Sequence, residues 1–256
     1  MRRLIHYLLA HIPRPVMQRM AELMVPILGL LYVGRGRECP ICGTRRRRFL
    51  PYGYVTLRES ALCPNCLSLE RHRILWLYLV RETTILDAGK RVLHIAPEVC
   101  IMRKLRKATK RGGGEYLTAD LESPLANLHF DVEQIPLEDN FADIILCNHL
   151  LEHVADDRKA MRELHRIMRP DGWGILLSPV EQDREQTFED DSITDEAERT
   201  RIFGQYDHRR IYGRDYVDRL RESGFTVEAI NYIEQFSEAE RHLYSISNEV
   251  IYRVSK

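Results

Sequence analysis

The chain has 256 residues, of which 44% are hydrophobic, and its 38 basic and 38 acidic side chains give a formal net charge of zero. This length accommodates one α/β domain of ordinary size with a smaller module beside it. The composition excludes a disordered chain, and the zero net charge excludes a basic field over the whole surface. Any surface that binds a phosphate-rich partner must therefore be local.

Residues 1–32 are predicted to form a helical arm that breaks at Pro13 and Pro15. Apolar side chains recur at helical spacing on both sides of this break, and arginines stand among them. A basic amphipathic segment either packs over a domain or makes peripheral contact with a membrane surface, and we favour packing. Since the sequence shows neither a long uncharged apolar run nor a secretory cleavage site, we expect a cytoplasmic protein.

Two C-x-x-C pairs are predicted to build a zinc ribbon, which together with a connecting helix occupies residues 33–82. Thiolates at this spacing turn toward one tetrahedral ion, as in a structural Zn²⁺ site. The alternatives are disulfides and redox-active pairs. The missing secretory signal counts against the first, and the repetition of the motif counts against the second. The predicted metal ligands are Cys39, Cys42, Cys63 and Cys66.

Four consecutive arginines, residues 45–48, stand between the two cysteine pairs. Guanidinium groups in such a run can bind the phosphates of RNA or of a nucleotide-sugar, and Phe49 and Tyr52 supply the aromatic rings that often accompany base contacts. The same run is equally typical of a solvated hairpin tip. Both interpretations stay open at this point.

Residues 83–256 are predicted to form an α/β domain with a parallel sheet, because short apolar runs alternate with helical patterns. Asp120 closes the second of these strands, about 20 positions beyond the turn that follows the first, which suits the two hydroxyls of an adenosine ribose. The predicted strands are 91–95, 115–119, 141–147 and 172–178, with a helix at 157–168 between the last two.

Two motifs in this domain resemble a known family. The segment DVEQIPLEDNFADIILCNHLLEHV at 131–154, followed by AMRELHRIMRPDG at 160–172, is similar to the second half of class I S-adenosylmethionine (SAM)-dependent methyltransferases of the type 11-like group. The likeness extends over about residues 90–256. It implies an α/β, Rossmann-like seven-stranded sheet that ends in an antiparallel hairpin, with SAM as the cofactor.

The loop after the first strand departs from the family pattern. Where the family has an acidic residue and two or three glycines, this chain has other residues, including Ala96. Alanine is the smallest substitute for glycine at a close backbone approach, and Pro97 fixes φ in the turn. Glu98 opens the next helix, where its charge suits the helix dipole and can meet the ammonium of the methionine moiety. The cofactor-binding residues that we predict are His94, Ala96, Pro97, Glu98, Asp120, Leu121, Asp131, Val132, Asn148 and His149.

Histidines are the candidates for a general base, because the unperturbed pKa of imidazole is near 6.5. The resemblance puts His149 at the carboxyl end of a strand and beside the reacting centre, and His208 is the second candidate. A structural role for His208, and a helix-capping role for His153, are the alternatives. The segment around His208 is predicted to bind an anionic acceptor through Asp207, Arg209, Arg210 and Tyr212.

Three functions are compatible with these residues. The first is methyl transfer to a small-molecule or saccharide-type acceptor, with O-methylation favoured, in which the long acidic segment 179–198 faces the acceptor. The second is an RNA methyltransferase that holds its substrate with the ribbon. The zero net charge and the acidic segment argue against RNA. The third is a non-catalytic interaction module that carries zinc.

Overall fold

The computed structural model describes Met24, Ile27, residues 29–53 and residues 57–256. Most of the predicted helical arm therefore lies outside the described residues. The chain divides into two compact units. One contains the described residues up to Leu77 together with Ile233–Ser247, and the other contains Tyr78–Tyr232 and Asn248–Lys256. Over the described residues, the structure has no helix that combines the length and the apolar character needed to cross a membrane.

Strands and helices alternate through most of the second unit, as the sequence predicts. The strands are β1 (Val33–Glu38), β2 (Arg45–Arg46), β3 (Leu50–Tyr52), β4 (Arg58–Leu62), β5 (Arg91–Ile95), β6 (Glu115–Asp120), β7 (Leu128–His129), β8 (Ala142–Asn148), β9 (Met168–Leu177), β10 (Phe188–Glu189), β11 (Arg210–Ile211), β12 (Thr226–Ile230) and β13 (Ile251–Ser255). The helices are α1 (Glu70–Glu82), α2 (Val99–Arg111), α3 (Asp157–Ile167), α4 (Glu196–Phe203), α5 (Tyr216–Glu222) and α6 (Glu238–Tyr244).

The second unit is built on a seven-stranded sheet with the order β12, β13, β9, β8, β5, β6, β7. Every neighbouring pair is parallel except the two pairs that include β13, which is antiparallel to β12 and to β9. This arrangement confirms the predicted Rossmann-like sheet and its antiparallel hairpin. The carboxyl ends of β5, β6 and β8 lie side by side at one edge, where ligands of open α/β sheets bind.

The central strands are buried because their sequences are nearly continuous apolar runs. In β8, every residue except Asp143 is buried. Helix α3 is amphipathic, with buried Ala160, Met161, Leu164 and Ile167 on one face, and Asp156 caps it by accepting a hydrogen bond from the Lys159 amide. These packed elements hold the strand ends, and so the side chains that follow them, in fixed positions.

The first unit contains two small antiparallel pairs, β1 with β2 and β3 with β4. It also includes residues 233–247, which the sequence analysis had assigned to the α/β domain. The reason is the fully buried guanidinium of Arg73, which donates to the carbonyls of Tyr244 (2.8 Å) and Ser245. It also donates to the carbonyls of Ser68 (2.6 Å) and Ala61 (3.0 Å). Since several backbone acceptors converge on one buried cation, these segments belong to one unit.

Candidate active site and metal centre

The loop after β5 keeps a left-handed backbone although it lacks glycine. Ala96 has φ of +49°, a conformation that glycine adopts readily and that costs other residues about 1–2 kcal/mol. Its amide donates to the carbonyl of Ala119 at 2.8 Å, which fixes the turn against the end of β6. Alanine therefore takes the backbone conformation that a glycine in this loop would favour.

Three of the predicted cofactor residues form a connected polar chain at the carboxyl ends of β5 and β8. Nε2 of His94 donates to Oε2 of Glu98 at 2.8 Å, and Nδ2 of Asn148 donates to Oε1 of the same carboxylate at 3.2 Å. Burial and the charge of Glu98 raise the pKa of Tyr116 above its ordinary value, so its hydroxyl stays protonated. That hydroxyl lies 2.8 Å from Nδ1 of His94 and donates to it. The chain fixes the orientation of Glu98 at the start of α2.

Asn148 brings an unused acceptor to this edge. Its side chain is buried, and within the described residues its Oδ1 has no hydrogen-bond partner. A buried acceptor without a partner costs about 1–3 kcal/mol, so a bound ligand with a donor stabilises it. The ammonium and the hydroxyls of SAM are such donors. The residues present therefore fit this cofactor.

Asp120 ends β6, as predicted, but half of its carboxylate is already used. Oδ1 accepts hydrogen bonds from the amides of Glu122 (3.0 Å) and Ser123 (2.9 Å), which close the turn after the strand. The second oxygen, Oδ2, is the atom left for a ribose hydroxyl. Leu121, the next residue, is exposed.

Asp131 and Val132 follow β7. Oδ1 of Asp131 accepts a hydrogen bond from the Glu133 amide at 2.9 Å, while the side chain of Val132 is buried. The described contacts do not join this pair to Asp120 or to Asn148. Their predicted role at the adenine edge stays a prediction.

His149 lies directly after β8 with φ of +52°, and its imidazole faces two carboxylates. Nε2 lies 3.0 Å from Oε1 of Glu249, and Nδ1 lies 3.6 Å from Oε1 of Glu152. Oε2 of Glu152 accepts a hydrogen bond from Ser178 at 3.0 Å. Two carboxylates in these positions stabilise the imidazolium that forms when His149 accepts a proton.

Glu152 is buried and ionised. Burial, the largest single influence, raises the pKa of Glu152, but the hydrogen bond to His149 and the charges of His149 and His153 together outweigh it and leave this pKa below its usual value. The sequence analysis identified neither Glu152 nor Glu249. Glu152 stands three residues after His149, a spacing that offered a signal, whereas nothing in the sequence links His149 to Glu249, 100 positions away.

His208 is buried beside His153 and not beside His149. Nδ1 of His208 donates to the carbonyl of Phe203 at 3.1 Å, and the ring meets that of His153 edge to face at a centroid distance of 4.7 Å. Burial lowers the pKa of His208 below its ordinary value, so the imidazole is neutral near pH 7. The two histidines predicted as bases therefore occupy different surroundings.

The structure corrects the predicted substrate contacts of Arg210 and Tyr212, because both side chains are buried and their polar groups have internal partners. The Arg210 guanidinium donates to the carbonyls of Leu151, Val154 and Ala155 and pairs with Glu189 at 3.0 Å. The hydroxyl of Tyr212 donates to Oδ2 of Asp157 at 2.8 Å. By contrast, Asp207 and Arg209 are partly exposed, and their predicted substrate role stays a prediction.

Asp157 is the centre of this buried network. Its Oδ2 accepts hydrogen bonds from Tyr212 and, at 3.0 Å, from Arg219, whose other terminal nitrogen pairs with Glu189 at 3.0 Å. Burial raises the pKa of Asp157, but the charge of Arg210, the Tyr212 hydrogen bond and the charge of Arg219 outweigh it and lower the pKa overall. The network ties β10, β11 and α5 to the start of α3. Residues 179–198 are therefore more ordered than the predicted loop.

Replacing Asp157 by asparagine is expected to lower the free energy of unfolding by about 3–5 kcal/mol, because it leaves two buried guanidinium groups without that carboxylate. The pKa of Asp157 is lower in the folded protein, so its contribution is present above about pH 4 and is lost as the pH falls through the folded-state value. Urea titrations at pH 7 and at lower pH measure both effects. Asp139→Asn, on an exposed carboxylate, is the control, and equal stability of both variants would contradict the role of the network.

The four predicted metal ligands converge in the first unit. Their sulfur atoms all lie within 4.8 Å of one another, with 3.6 Å between Cys39 and Cys66 and 3.9 Å between Cys42 and Cys63. Tetrahedral zinc with bonds of about 2.3 Å requires sulfur atoms about 3.8 Å apart, so the cluster fits this ion. The hydroxyl of Ser68 lies 3.3 Å from the sulfur atoms of Cys39 and Cys66, and Arg73 donates to the Ser68 carbonyl. The buried guanidinium balances part of the thiolate charge.

The arginine run beside this centre is not an open phosphate clamp. Arg45 pairs with Glu38 at 2.7 Å, and Arg46 is buried with its guanidinium donating to the Arg45 carbonyl. The guanidinium groups of Arg47 and Arg48 lie 5.6 and 5.8 Å from the centre of the Tyr32 ring. Two of the four side chains are thus engaged within the unit, which weakens the RNA hypothesis.

The sheet order, the single reversed strand β13 and the polar residues at the carboxyl ends of β5, β6 and β8 define a Rossmann-like methyltransferase domain. Residues 85–176 match the family model described as methyltransferase domain. The chain belongs to the class I SAM-dependent methyltransferases, as the motifs at 131–154 and 160–172 implied.

Curated relatives cover part of the chain. The ubiquinone/menaquinone biosynthesis C-methyltransferase of Coxiella burnetii is 24% identical over 133 residues, which are 45% of this chain and 53% of that protein. The demethylmenaquinone methyltransferase of Staphylococcus epidermidis is 26% identical over 128 residues, which are 44% of this chain and 52% of that protein. The chain thus spans about half the length of these relatives.

A solved structure covers more of the chain. The [4+2]-cyclase SpnF aligns with a TM-score of 0.50 and 15% identity over 93% of this chain and 94% of its own. At this identity the likeness shows the fold alone. It agrees with the seven-stranded sheet described above.

Proposed function

We propose that this protein transfers a methyl group from SAM to a small-molecule or saccharide-type acceptor, with O-methylation of an acidic hydroxyl as the favoured reaction. The observation that carries the proposal is the placement of His149 between Glu152 and Glu249, next in sequence to Asn148, whose amide bonds Glu98. A polar edge suited to the cofactor thus adjoins an imidazole suited to remove a proton. When bound, SAM supplies an electrophilic methyl group on a sulfonium.

The residues divide the work at this edge. Oδ2 of Asp120 accepts hydrogen bonds from the ribose hydroxyls, and the acceptor atoms of Glu98 and Asn148 meet the ammonium. His149 takes the proton of the acceptor hydroxyl as the methyl group is transferred, and its neighbouring carboxylates stabilise the resulting imidazolium. Since methyl transfer is an in-line displacement, the main contribution of the protein is to align the two reactants.

C-methylation of a quinol ring is the second candidate, because the printed names of the curated relatives describe ubiquinone, menaquinone and demethylmenaquinone methyltransferases. Loss of a phenolic proton activates the ring carbon as well as the oxygen. The same base at His149 therefore serves either acceptor. The bonds formed differ, and mass spectrometry of the product distinguishes them.

A panel assay tests the proposal. The full chain is incubated with SAM carrying an isotopically labelled methyl group and with phenols, free and phosphorylated sugars, a reduced demethylated quinone and total RNA. Label on oxygen of a phenol or sugar supports the favoured reaction, and label on a quinol carbon supports the second. Label in RNA, at low salt only, would favour the ribbon-dependent RNA hypothesis. Undetectable SAM binding by calorimetry with an intact fold would favour a non-catalytic zinc module.

Asp120→Ala is expected to weaken SAM binding by about 1–3 kcal/mol, because it removes charge-assisted hydrogen bonds to the ribose. Isothermal titration calorimetry with S-adenosylhomocysteine measures the change. Asp120→Asn separates the two duties of this residue, since an amide oxygen still accepts from the amides of Glu122 and Ser123 while the charge is lost. Unchanged affinity in both variants would mean that β6 does not hold the ribose.

A further inference from the structure

A second group of potential metal ligands lies in the methyltransferase domain, away from the cysteines. Glu152, His153 and His208 each present one ligand atom, and these atoms lie within 4.8 Å of one another. Glu152 is 1% exposed and His208 is 7% exposed, while His153 is partly exposed. Two imidazoles and a carboxylate are thus gathered in an interior position with access from one side.

Hydrogen bonds orient both imidazoles as they do in metal sites. Nδ1 of His208 donates to the Phe203 carbonyl at 3.1 Å, and Nδ1 of His153 lies 3.3 Å from the Asp207 carbonyl, to which it donates. Carbonyl oxygens only accept, so Nδ1 carries the proton in each ring and Nε2 keeps its lone pair. Metal-binding histidines are held in the correct tautomer by such a bond at the other nitrogen. The Ser178 hydroxyl holds the Glu152 carboxylate in the same way, at 3.0 Å.

One ligand atom of this cluster has no partner. Within the described residues, Nε2 of the buried His208 makes no hydrogen bond, and Oδ1 of the neighbouring Asp207 makes none either. Buried polar atoms are nearly always satisfied, so an orphaned imidazole nitrogen beside a carboxylate and a second imidazole calls for a ligand. A cation supplies the missing partner for that nitrogen.

We propose that Glu152, His153 and His208 bind a divalent transition-metal ion, with Zn²⁺ as the representative case. Mg²⁺ and Ca²⁺ prefer oxygen ligands, whereas imidazole suits zinc, iron, nickel and copper. Three protein ligands leave a coordination position open for water or another oxygen donor, as in catalytic rather than structural zinc sites. This ion is independent of the cysteine-bound ion, because the ligand sets share no residue and lie in different units.

The test counts metal ions and does not depend on methyl transfer. The full chain is equilibrated with excess Zn²⁺ and dialysed against metal-free buffer, and its zinc content is measured. We expect two ions per chain in the wild type and one in His208→Asn. An asparagine amide can keep the hydrogen bond to Phe203 but removes Nε2, so this variant tests the ligand atom with little change in packing. Glu152→Gln, which keeps an acceptor for Ser178, is the second variant.

Cobalt substitution tells which site is filled. Co²⁺ bound by thiolates has an intense sulfur-to-metal charge-transfer band, and Co²⁺ bound by imidazole and carboxylate has only weak d–d absorption. We expect the His208→Asn variant to lose one equivalent of Co²⁺ while the charge-transfer band stays unchanged, and we expect His129→Asn, on an exposed histidine, to bind both ions. A single ion per wild-type chain would overturn the proposal. Two ions retained by both His208→Asn and Glu152→Gln would overturn it as well.

Discussion

Replacing Cys63 by serine is expected to release the ion from the cysteine cluster and to unfold the first unit. A structural zinc ion contributes about 10–16 kcal/mol to the folding of small zinc modules, which exceeds the 5 kcal/mol or so that a module of this size has in reserve. The variant also removes thiolate charge near the buried Arg73, whose pKa is already lowered by burial. This single change therefore takes away both the main cross-link and the charge that balances a buried cation.

Elemental analysis and limited proteolysis measure this outcome together. The ribbon's zinc should be absent from Cys63→Ser, and protease should cut within residues 29–77 much faster than in the wild type. Cys100→Ala, at a buried cysteine outside the cluster, should keep the ion and the protease resistance. A Cys63→Ser protein that retains the ribbon's zinc and its resistance would refute the metal centre.

Replacing His149 by asparagine is expected to lower kcat/KM by about 10²–10⁴-fold, because it removes the proposed general base. Asparagine tolerates the left-handed backbone found at this position, so the substitution tests chemistry more than folding. Wild-type activity should rise with pH as the imidazole loses its proton, and the variant should lack that rise. The assay uses the most rapidly methylated member of the acceptor panel.

Three further variants assign the effect of His149→Asn. Glu152→Gln and Glu249→Gln keep the size of the carboxylates but not their charge, and each should lower kcat with little change in the KM for SAM. His165→Asn, on a histidine that packs against Phe225, should leave kcat/KM unchanged. Full activity in His149→Asn, with the same pH profile as the wild type, would remove His149 from the mechanism.

The sequence predicted the sheet well because its signals are local. Strands β5, β6 and β8 are short apolar runs, helix α3 has a capping Asp156 and a clear apolar face, and the seven-stranded order follows from the methyltransferase motifs. The cysteine cluster was equally predictable, since two C-x-x-C pairs at this spacing have few other uses. Its convergence in the structure bears out the expected ligand set.

Prediction was weaker where long-range contacts decide a residue's role. Arg210 and Tyr212 stand in a charged, aromatic segment that is typical of an anion site, yet their contacts with Leu151 and Asp157 bury them. Their burial depends on residues about 55–60 positions away, which no local pattern reports. Residues 233–247 were assigned to the wrong unit for the same reason, since Arg73 bonds them from the other end of the chain.

The order of apolar runs, the cysteine spacing and the motif at 131–154 by themselves determined that this chain combines a metal-binding module with a class I methyltransferase domain, because local chemistry fixes those features. Only the tertiary structure decided that His149 lies between Glu152 and Glu249 and that His208 adjoins His153. The physical reason is that a catalytic or metal-binding group acquires its properties from neighbours distant in sequence. Only folding brings such charges, lone pairs and protons within a few ångströms of one another.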